Sequence, residues 1–380
     1  MAISEITPAQ ARDRQANGAL LVDVREPDEH ALGVPALALR VPRAALEANP
    51  AATAPHLNSE LMLICAGGVR SLAAARALQA RGYGNVASVA GGYQAWLAAG
   101  LPVEARRDSD FMERYSRHLR LPQLGVEGQE KLEGARILLV GAGGLGSPAA
   151  FYLAAAGIGH LRLVDDDVVD RSNLQRQVLH TEARIGMAKV ESAAASLSAL
   201  NPRIHIEAVR ARLTADNVAA LLADVDVVVD GADNFSTRYL LSDACVRHGK
   251  PLVYGAVHRF SGQASVFDAG RRRGQSPCYR CLFPEPPGEG EAPNCAEAGV
   301  LGVLPGIIGL IQATEVIKLV LGLGDSLSGR LLQFDALAMR FHETALSPDP
   351  GCPACAPGVE FAAYAASGKV CAASERERDA

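Results

Sequence analysis

The stretch from Arg136 to Asp167 leaves the chain little choice of fold. Arg136 to Val140 reads as a buried strand, Gly141-Ala142-Gly143-Gly144-Leu145-Gly146 as a tight turn, Leu145 to Ala156 as a helix of small residues, and Leu161 to Val164 as the next strand. That is a βαβ unit, whose strands must lie parallel with the helix packed across them. Val225 to Asp230 repeats the strand pattern and again ends in acid. Pro305 to Leu321, bounded by glycine and opening on proline, reads as a long helix.

A glycine turn that opens a helix lets backbone N–H groups reach a phosphate without obstruction by Cβ, and the helix N-terminus adds a favourable dipole. Gly141, Gly143, Gly144 and Gly146 suit that task. Asp165 ends the second strand about 20 residues further on, where such folds place the acid that binds a ribose. Asn173, Arg176 and Lys189 then supply polar and cationic groups, the complement of a triphosphate rather than a nicotinamide. Asp230 and Asp233 are candidate Mg²⁺ ligands at the end of the later strand. The glycines alone also suit a dinucleotide dehydrogenase, or a turn that only packs helix on strand. Each of these charges, taken singly, is an ordinary surface residue.

Two CxxC pairs, Cys278/Cys281 and Cys352/Cys355, can close a tetrahedral Zn²⁺ shell with no open position, and neither pair sits in a thioredoxin-like context. Redox and disulfide readings are the alternatives; the zinc reading gives the pairs a structural role, pinning the late segment to the loop near Cys281. Of the eight cysteines in the chain, Cys65, Cys245, Cys295 and Cys371 fall outside these pairs. Cys245 is expected in the core and Cys371 in the tail. Cys65 begins Cys65-Ala66-Gly67-Gly68-Val69-Arg70-Ser71, which runs from a strand end through a glycine turn into an alanine-rich helix. Successive N–H groups there can cradle an anion around the sulfur, and the helix dipole favours a thiolate nucleophile. Without further context a strand-end cysteine is inert.

At 380 residues and 49% hydrophobic, the chain can bury two or three domains. Residues 1–104 are expected to form one α/β domain, 105–110 a linker, 111–358 a second α/β domain, and 359–380 a disordered tail. No internal repeat is visible. A net charge of −5 argues against a nucleic-acid binder, with Arg271-Arg272-Arg273 read as a solvated loop. Met1 to Pro8 has no signal-peptide character and no apolar run approaches the roughly 20 residues of a membrane span, so a cytoplasmic protein without membrane contact is expected.

From RYSRH at Arg114 to GCPAC at Cys355, with VGAGGLGS, SNLQRQ, GMAKVE, GADN, PCYRC and CAEAGV between them, the chain resembles the bacterial adenylyltransferases that activate sulfur-carrier proteins, in molybdopterin and thiamine synthesis, kin of the ubiquitin-activating enzymes. The resemblance implies a Rossmann-like adenylation domain with a structural zinc. It implies that Gly144 contacts ATP, Asp165 its ribose, Asn173, Arg176 and Lys189 its phosphates, and Asp233 the Mg²⁺ and phosphates. Arg117 would reach the ATP site of a neighbouring subunit, making a homodimer necessary. Cys295 stands where some relatives form a covalent link to their carrier, and is otherwise a packing residue.

The first hundred residues resemble rhodanese sulfurtransferase domains through LVDVREPDEH, the CxxxxR loop and VAGGYQAWLAAGLPVE. This implies a persulfide on Cys65, stabilised by Arg70 and the loop amides, with Asp23 and Arg25 fixing the loop and Trp96 in the core. Gly33-Val34-Pro35-Ala36 departs from the usual GHIPGA-like segment, lacking its His and one residue. The expected function is a fused enzyme. Its substrate is a small ubiquitin-like carrier ending in Gly-Gly, the molybdopterin synthase small subunit first among them. It adenylates the terminal carboxylate and converts it to a thiocarboxylate, with thiosulfate or a cysteine desulfurase as sulfur donor. Three alternatives stand beside it: a rhodanese domain that only docks a carrier or donor, with thiamine-pathway or other carriers served instead; an NAD-dependent oxidoreductase; and a relative that adenylates a tRNA base.

Overall fold

The computed structural model describes residues 3–104, 107–286, 299–360 and 364. Cys295, Cys371 and nearly all of the expected tail lie outside the described residues. The chain divides into two compact units, Met1–Gln129 and Glu130–Ala380.

In the first unit β1 (Ser4–Ile6), β2 (Leu20–Asp23), β4 (Leu39–Arg40), β5 (Leu61–Ile64) and β6 (Val86–Val89) form a parallel sheet in the order β1-β6-β5-β2-β4. The run Leu-Met-Leu-Ile in β5 is apolar throughout because both faces of a central parallel strand are covered. Leu61 and Leu63 pack with Val22, Leu46 and Leu78, while Met62 and Ile64 pack with Leu21 and Trp96 on the other side. Trp96 is fully buried and donates its ring N–H to the Pro102 carbonyl at 3.0 Å. The atypical Gly33–Ala36 segment is a two-residue strand, β3 (Val34–Pro35), paired antiparallel with β7 (Val103–Glu104).

Asp108 caps a helix over Ser109–Arg114 by accepting the Phe111 amide at 2.9 Å, so part of the charge-dense stretch expected as linker is helical. Phe111, Tyr115, Leu119 and Val126 cluster with Leu32, which is why these residues belong to the first compact unit.

The second unit carries an eight-stranded sheet in the order β10-β9-β8-β11-β12-β13-β14-β15. Its parallel half is β8 (Arg136–Val140), β9 (His160–Val164), β10 (His205–Val209), β11 (Val227–Asp230) and β12 (Leu252–His258). The antiparallel half follows through β13 (Ser261–Phe267), β14 (Arg330–Asp335) and β15 (Arg340–Ala345). From β8 the chain builds outward to β9 and β10, then returns to place β11 on the other side of β8. That reversal opens a crevice at the C-terminal ends of β8 and β11, where open α/β sheets bind ligands.

The helix Leu304–Leu321 is long and apolar enough to cross a membrane by length and composition alone. Here it is a core helix. Leu304, Ile308, Ala313 and Val316 are buried, the three larger side chains contributing about 1.5–3 kcal/mol each. A Cβ at Gly309 would lie 2.5 Å from the Leu145 carbonyl oxygen, so this helix and the Gly146–Ala156 helix touch backbone to backbone. The same helix delivers Gln312, which donates to the carbonyls of Asp230 and Val253 at 2.7 and 3.1 Å.

Candidate active sites

The four glycines of the turn divide into two jobs. At Gly146 a Cβ would lie 1.8 Å from the Gly141 carbonyl oxygen, and Gly141 itself has φ +95° with Gly231 packed against it, so these two close the turn onto the ends of β8 and β11. Gly143 and Gly144 are half-exposed and face the crevice. Ala142, between Gly141 and Gly143, is clamped: its N–H donates to Asp165 at 2.8 Å, and its carbonyl accepts from Ser147 Oγ at 3.2 Å and lies 3.0 Å from His180 Nε2. His180 Nδ1 is 3.0 Å from the Ser192 hydroxyl, and burial holds its pKa below the usual histidine value.

Asp165 sits at the end of β9, accepting the Ala142 and Asp167 amides. Burial raises its pKa, opposed by the nearby Lys189 ammonium and those two N–H groups. Lys189, almost fully buried at the start of the Lys189–Leu200 helix, pairs with Asp167 at 2.8 Å. Arg176 bends over the turn, its Cδ 3.6 Å from where a Gly144 Cβ would sit, and its guanidinium donates to Asn173 Oδ1 at 3.2 Å and to the Ser172 carbonyl at 3.2 Å. Gln177 also donates to Asn173 Oδ1, at 2.8 Å, which turns the Asn173 amide nitrogen away from both.

Asp230 and Asp233 part company. Asp230 is fully buried, raised by burial, and paired with buried Arg238 at 3.0 Å; it is a structural anchor rather than an open metal ligand. Arg238 also donates to the Ala232 carbonyl at 2.7 Å, fixing the loop that presents exposed Asp233. Gly299–Pro305 is the wall that sequence reasoning missed. Gly302 is pressed on Gln175, and Pro305 on Gly144. The only prior signal was glycine and proline bracketing a helix start.

The four paired cysteines converge, with Sγ separations of 3.9 Å for Cys278–Cys281, 3.5 Å for Cys278–Cys352 and 3.4 Å for Cys281–Cys355. Four thiolates at about 2.3 Å from a central ion lie about 3.8 Å apart, so the set fits tetrahedral Zn²⁺. Arg280, between Cys278 and Cys281, makes a two-pronged pair with Asp243 at 2.8 and 2.9 Å, tying this loop to the Phe235–His248 helix. Cys245 on that helix is buried, and burial pushes its thiol far above the usual range.

In the first unit Cys65 lies at the end of β5, 1% exposed. Its sulfur accepts the Gly68 amide at 3.2 Å and the Ser71 hydroxyl at 3.3 Å. Gly68, at φ +96°, turns the chain into the Val69–Ala80 helix. The Gly91-Gly92 pair has a physical reason: Gly92 has φ +58° and its Cβ would lie 2.2 Å from the Cys65 carbonyl oxygen, which instead accepts the Tyr93 amide at 2.7 Å. Asp23 and Arg25 form a buried pair at 2.6 Å, and Arg25 also donates to the Gly33 carbonyl at 2.6 Å, so the shortened segment is held by Arg25. Arg70 is held by Glu29 through two contacts of 2.6 Å each. Nothing in the sequence marked Glu29 as that partner.

A nucleotide-type crevice at a sheet reversal, a four-thiolate cluster and a cysteine on an anion-cradling loop define a Rossmann-like enzyme joined to a sulfurtransferase-type domain. The chain belongs to the ThiF family, whose model matches residues 115–354, and residues 7–99 match the Rhodanese-like domain. The chain is similar to the SAMP-activating enzyme E1 of Haloferax volcanii, 52% identical over 66% of this chain and 91% of that protein, and to the sulfur carrier protein adenylyltransferase of Thermus thermophilus, 49% identical over 66% and 93%. It is also 50% identical to the probable adenylyltransferase/sulfurtransferase MoeZ of Mycobacterium tuberculosis, over 63% of this chain and 61% of that one. Among solved structures, E. coli MccB with MccA-N7isoASN aligns with TM-score 0.56 at 21% identity, covering 70% of this chain and 86% of that one, which supports the fold. The chain is thus an enzyme of the adenylyltransferase and sulfurtransferase type.

Proposed function

We propose that this enzyme uses ATP and Mg²⁺ to adenylate the C-terminal glycine carboxylate of a small ubiquitin-like sulfur carrier, and then delivers sulfur from a Cys65 persulfide to give a thiocarboxylate. The molybdopterin synthase small subunit is the first choice of carrier, and the reaction takes place in the cytoplasm. The adenylating domain is assigned residues 111–358, of which those up to Gln129 pack within the first compact unit, and the sulfurtransferase domain residues 1–104. What supports the first half is Arg176 bending over Gly144 and, at the same glycine turn, Asp165 accepting the Ala142 N–H with the Lys189 charge acting on it.

Attack of the carrier carboxylate on the α-phosphorus releases pyrophosphate, and such a step depends on positioning and charge neutralisation more than on a strong base. Gly143 and Gly144 leave room for the phosphates, Arg176, Lys189 and the Asn173 amide neutralise or bind them, and Asp165 accepts from the ribose. Mg²⁺ would be held by Asp233 together with the phosphates and would supply charge neutralisation there. Arg117 completes the neighbouring subunit's site in a homodimer, and Cys295 is a candidate nucleophile toward the carrier.

Carrier-dependent ATP–pyrophosphate exchange tests the adenylation. Exchange with a Gly-Gly-ending carrier, lost when its last glycine is removed, is the expected result; exchange indifferent to the carrier overturns it.

A further inference from the structure

Arg70 is the single cation of the loop that surrounds Cys65, whose other residues between the two are Ala66, Gly67, Gly68 and Val69. Its guanidinium is engaged head-on by the Glu29 carboxylate, both oxygens at 2.6 Å. The other arginine next to the loop, Arg25, is spent on Asp23 and the Gly33 carbonyl. The negative charges of Glu26 and the Cys65 sulfur also act on the Arg70 guanidinium, more weakly than Glu29. Asp23, Glu26 and Glu29 therefore face Arg25 and Arg70, leaving no surplus of positive charge among these groups. This arrangement suits poorly a sulfur donor that arrives as a dianion.

Resting on the sulfur transfer proposed above, we infer that Glu29 is a specificity-determining residue, an electrostatic filter that makes Cys65 accept sulfur from an organic persulfide in preference to thiosulfate. With a persulfide, the Cys65 thiolate attacks the outer sulfur of R–S–SH, a new S–S bond forms to Cys65, the original S–S bond breaks, and R–S⁻ leaves with its electron pair. With thiosulfate the same attack releases sulfite, but a doubly charged donor must first approach the Glu29 and Glu26 carboxylates. Val69, within the loop, is 79% exposed and adds no charge that would offset these carboxylates.

The test uses the full chain and Glu29→Gln. Formation of the Cys65 persulfide is followed by mass spectrometry with thiosulfate, a dianion, and with cysteine persulfide, which reacts through its –S–SH form, in which the ammonium and carboxylate cancel. In parallel, the relative rates at which iodoacetate and iodoacetamide label the Cys65 peptide report the local potential whether or not sulfur is transferred. Removing one negative charge at this range is expected to raise the thiosulfate kcat/KM and the iodoacetate-to-iodoacetamide ratio by ~10-fold or more, with cysteine persulfide changed by less than ~3-fold. An unchanged labelling ratio, or a parallel fall with both donors, overturns the filter. If wild-type protein takes sulfur from neither donor, the sulfur transfer itself fails, and the labelling ratio alone decides whether Glu29 sets the potential at Cys65.

Discussion

Pro305 closes the nucleotide turn from above: a Cβ on Gly144 would lie 3.2 Å from the Cβ of Pro305. The first turn of the Leu304–Leu321 helix and the glycine turn thus form one wall, with the Arg176 stem as the third member. A side chain at position 144 would have to displace Pro305 or Arg176, and both flank the space proposed above for the phosphates. Gly144→Ala, whose methyl needs its neighbours to give by only a few tenths of an ångström, should leave the melting temperature within a few degrees of wild type while raising the KM for ATP ~10-fold or more, since 1.4 kcal/mol of lost binding is tenfold. Pyrophosphate exchange measured against ATP concentration reads this directly.

Arg176→Ala and Asp233→Ala should each abolish pyrophosphate exchange in a protein that still folds. Both residues are partly or fully exposed and anchor little else. Exchange retained in either variant removes that residue from the site, and circular dichroism separates this outcome from unfolding.

Arg280→Ala should be far more damaging to stability than its surface-loop position suggests. It leaves the Asp243 carboxylate, 8% exposed, without its partner, a change that costs about 3–5 kcal/mol for a buried pair. Because Arg280 lies between two thiolates of the cluster, the variant should also lose zinc more readily to a chelator. Cys352→Ser should lose zinc outright, and metal analysis of the purified proteins checks both.

His180 gives the fold a pH dependence of predictable sign. Its folded pKa lies below the usual 6.5 because burial disfavours the charged ring. As pH falls below about 6.5 the unfolded chain binds the proton first, so stability declines until the folded pKa is reached; above 6.5 the residue contributes no slope. His160 and His248, also lowered, act in the same direction. Melting temperatures between pH 7.5 and 5 should fall less steeply in His180→Gln than in wild type. An identical slope would remove His180 from the account.

Gly92→Ala should disable the first domain. The new methyl group would meet the Cys65 carbonyl at 2.2 Å on a residue held at φ +58°, with an expected cost of about 3 kcal/mol or more. Thermal melting of the variant, together with its capacity to carry a persulfide, checks this.

The sequence was legible wherever one local pattern implied one backbone shape. Arg136–Val140 is a strand to the residue, and Gly141 through Gly146 make the turn that the βαβ pattern demands. The four zinc-type cysteines were legible because their chemistry allows few other partners. What stayed hidden depended on long-range encounters between unremarkable residues. Pro305 against Gly144, Glu29 across Arg70 and Arg238 under the Asp233 loop have no periodic signature, because an ion pair or a close approach between distant segments is fixed by the whole fold. Asp230 shows the converse: a strand-end acid that looked available for metal is buried against an arginine.

The most direct test is the intact mass of molybdopterin-type and thiamine-type carriers after incubation with this protein, ATP, Mg²⁺ and a sulfane donor, beside the Cys65→Ala variant. Conversion of one carrier from carboxylate to thiocarboxylate, abolished in the variant, is the predicted result and names the carrier. A carrier thiolated equally well by Cys65→Ala would make the first domain a docking module, and no adenylation of any Gly-Gly-ending carrier would contradict the proposed function as a whole.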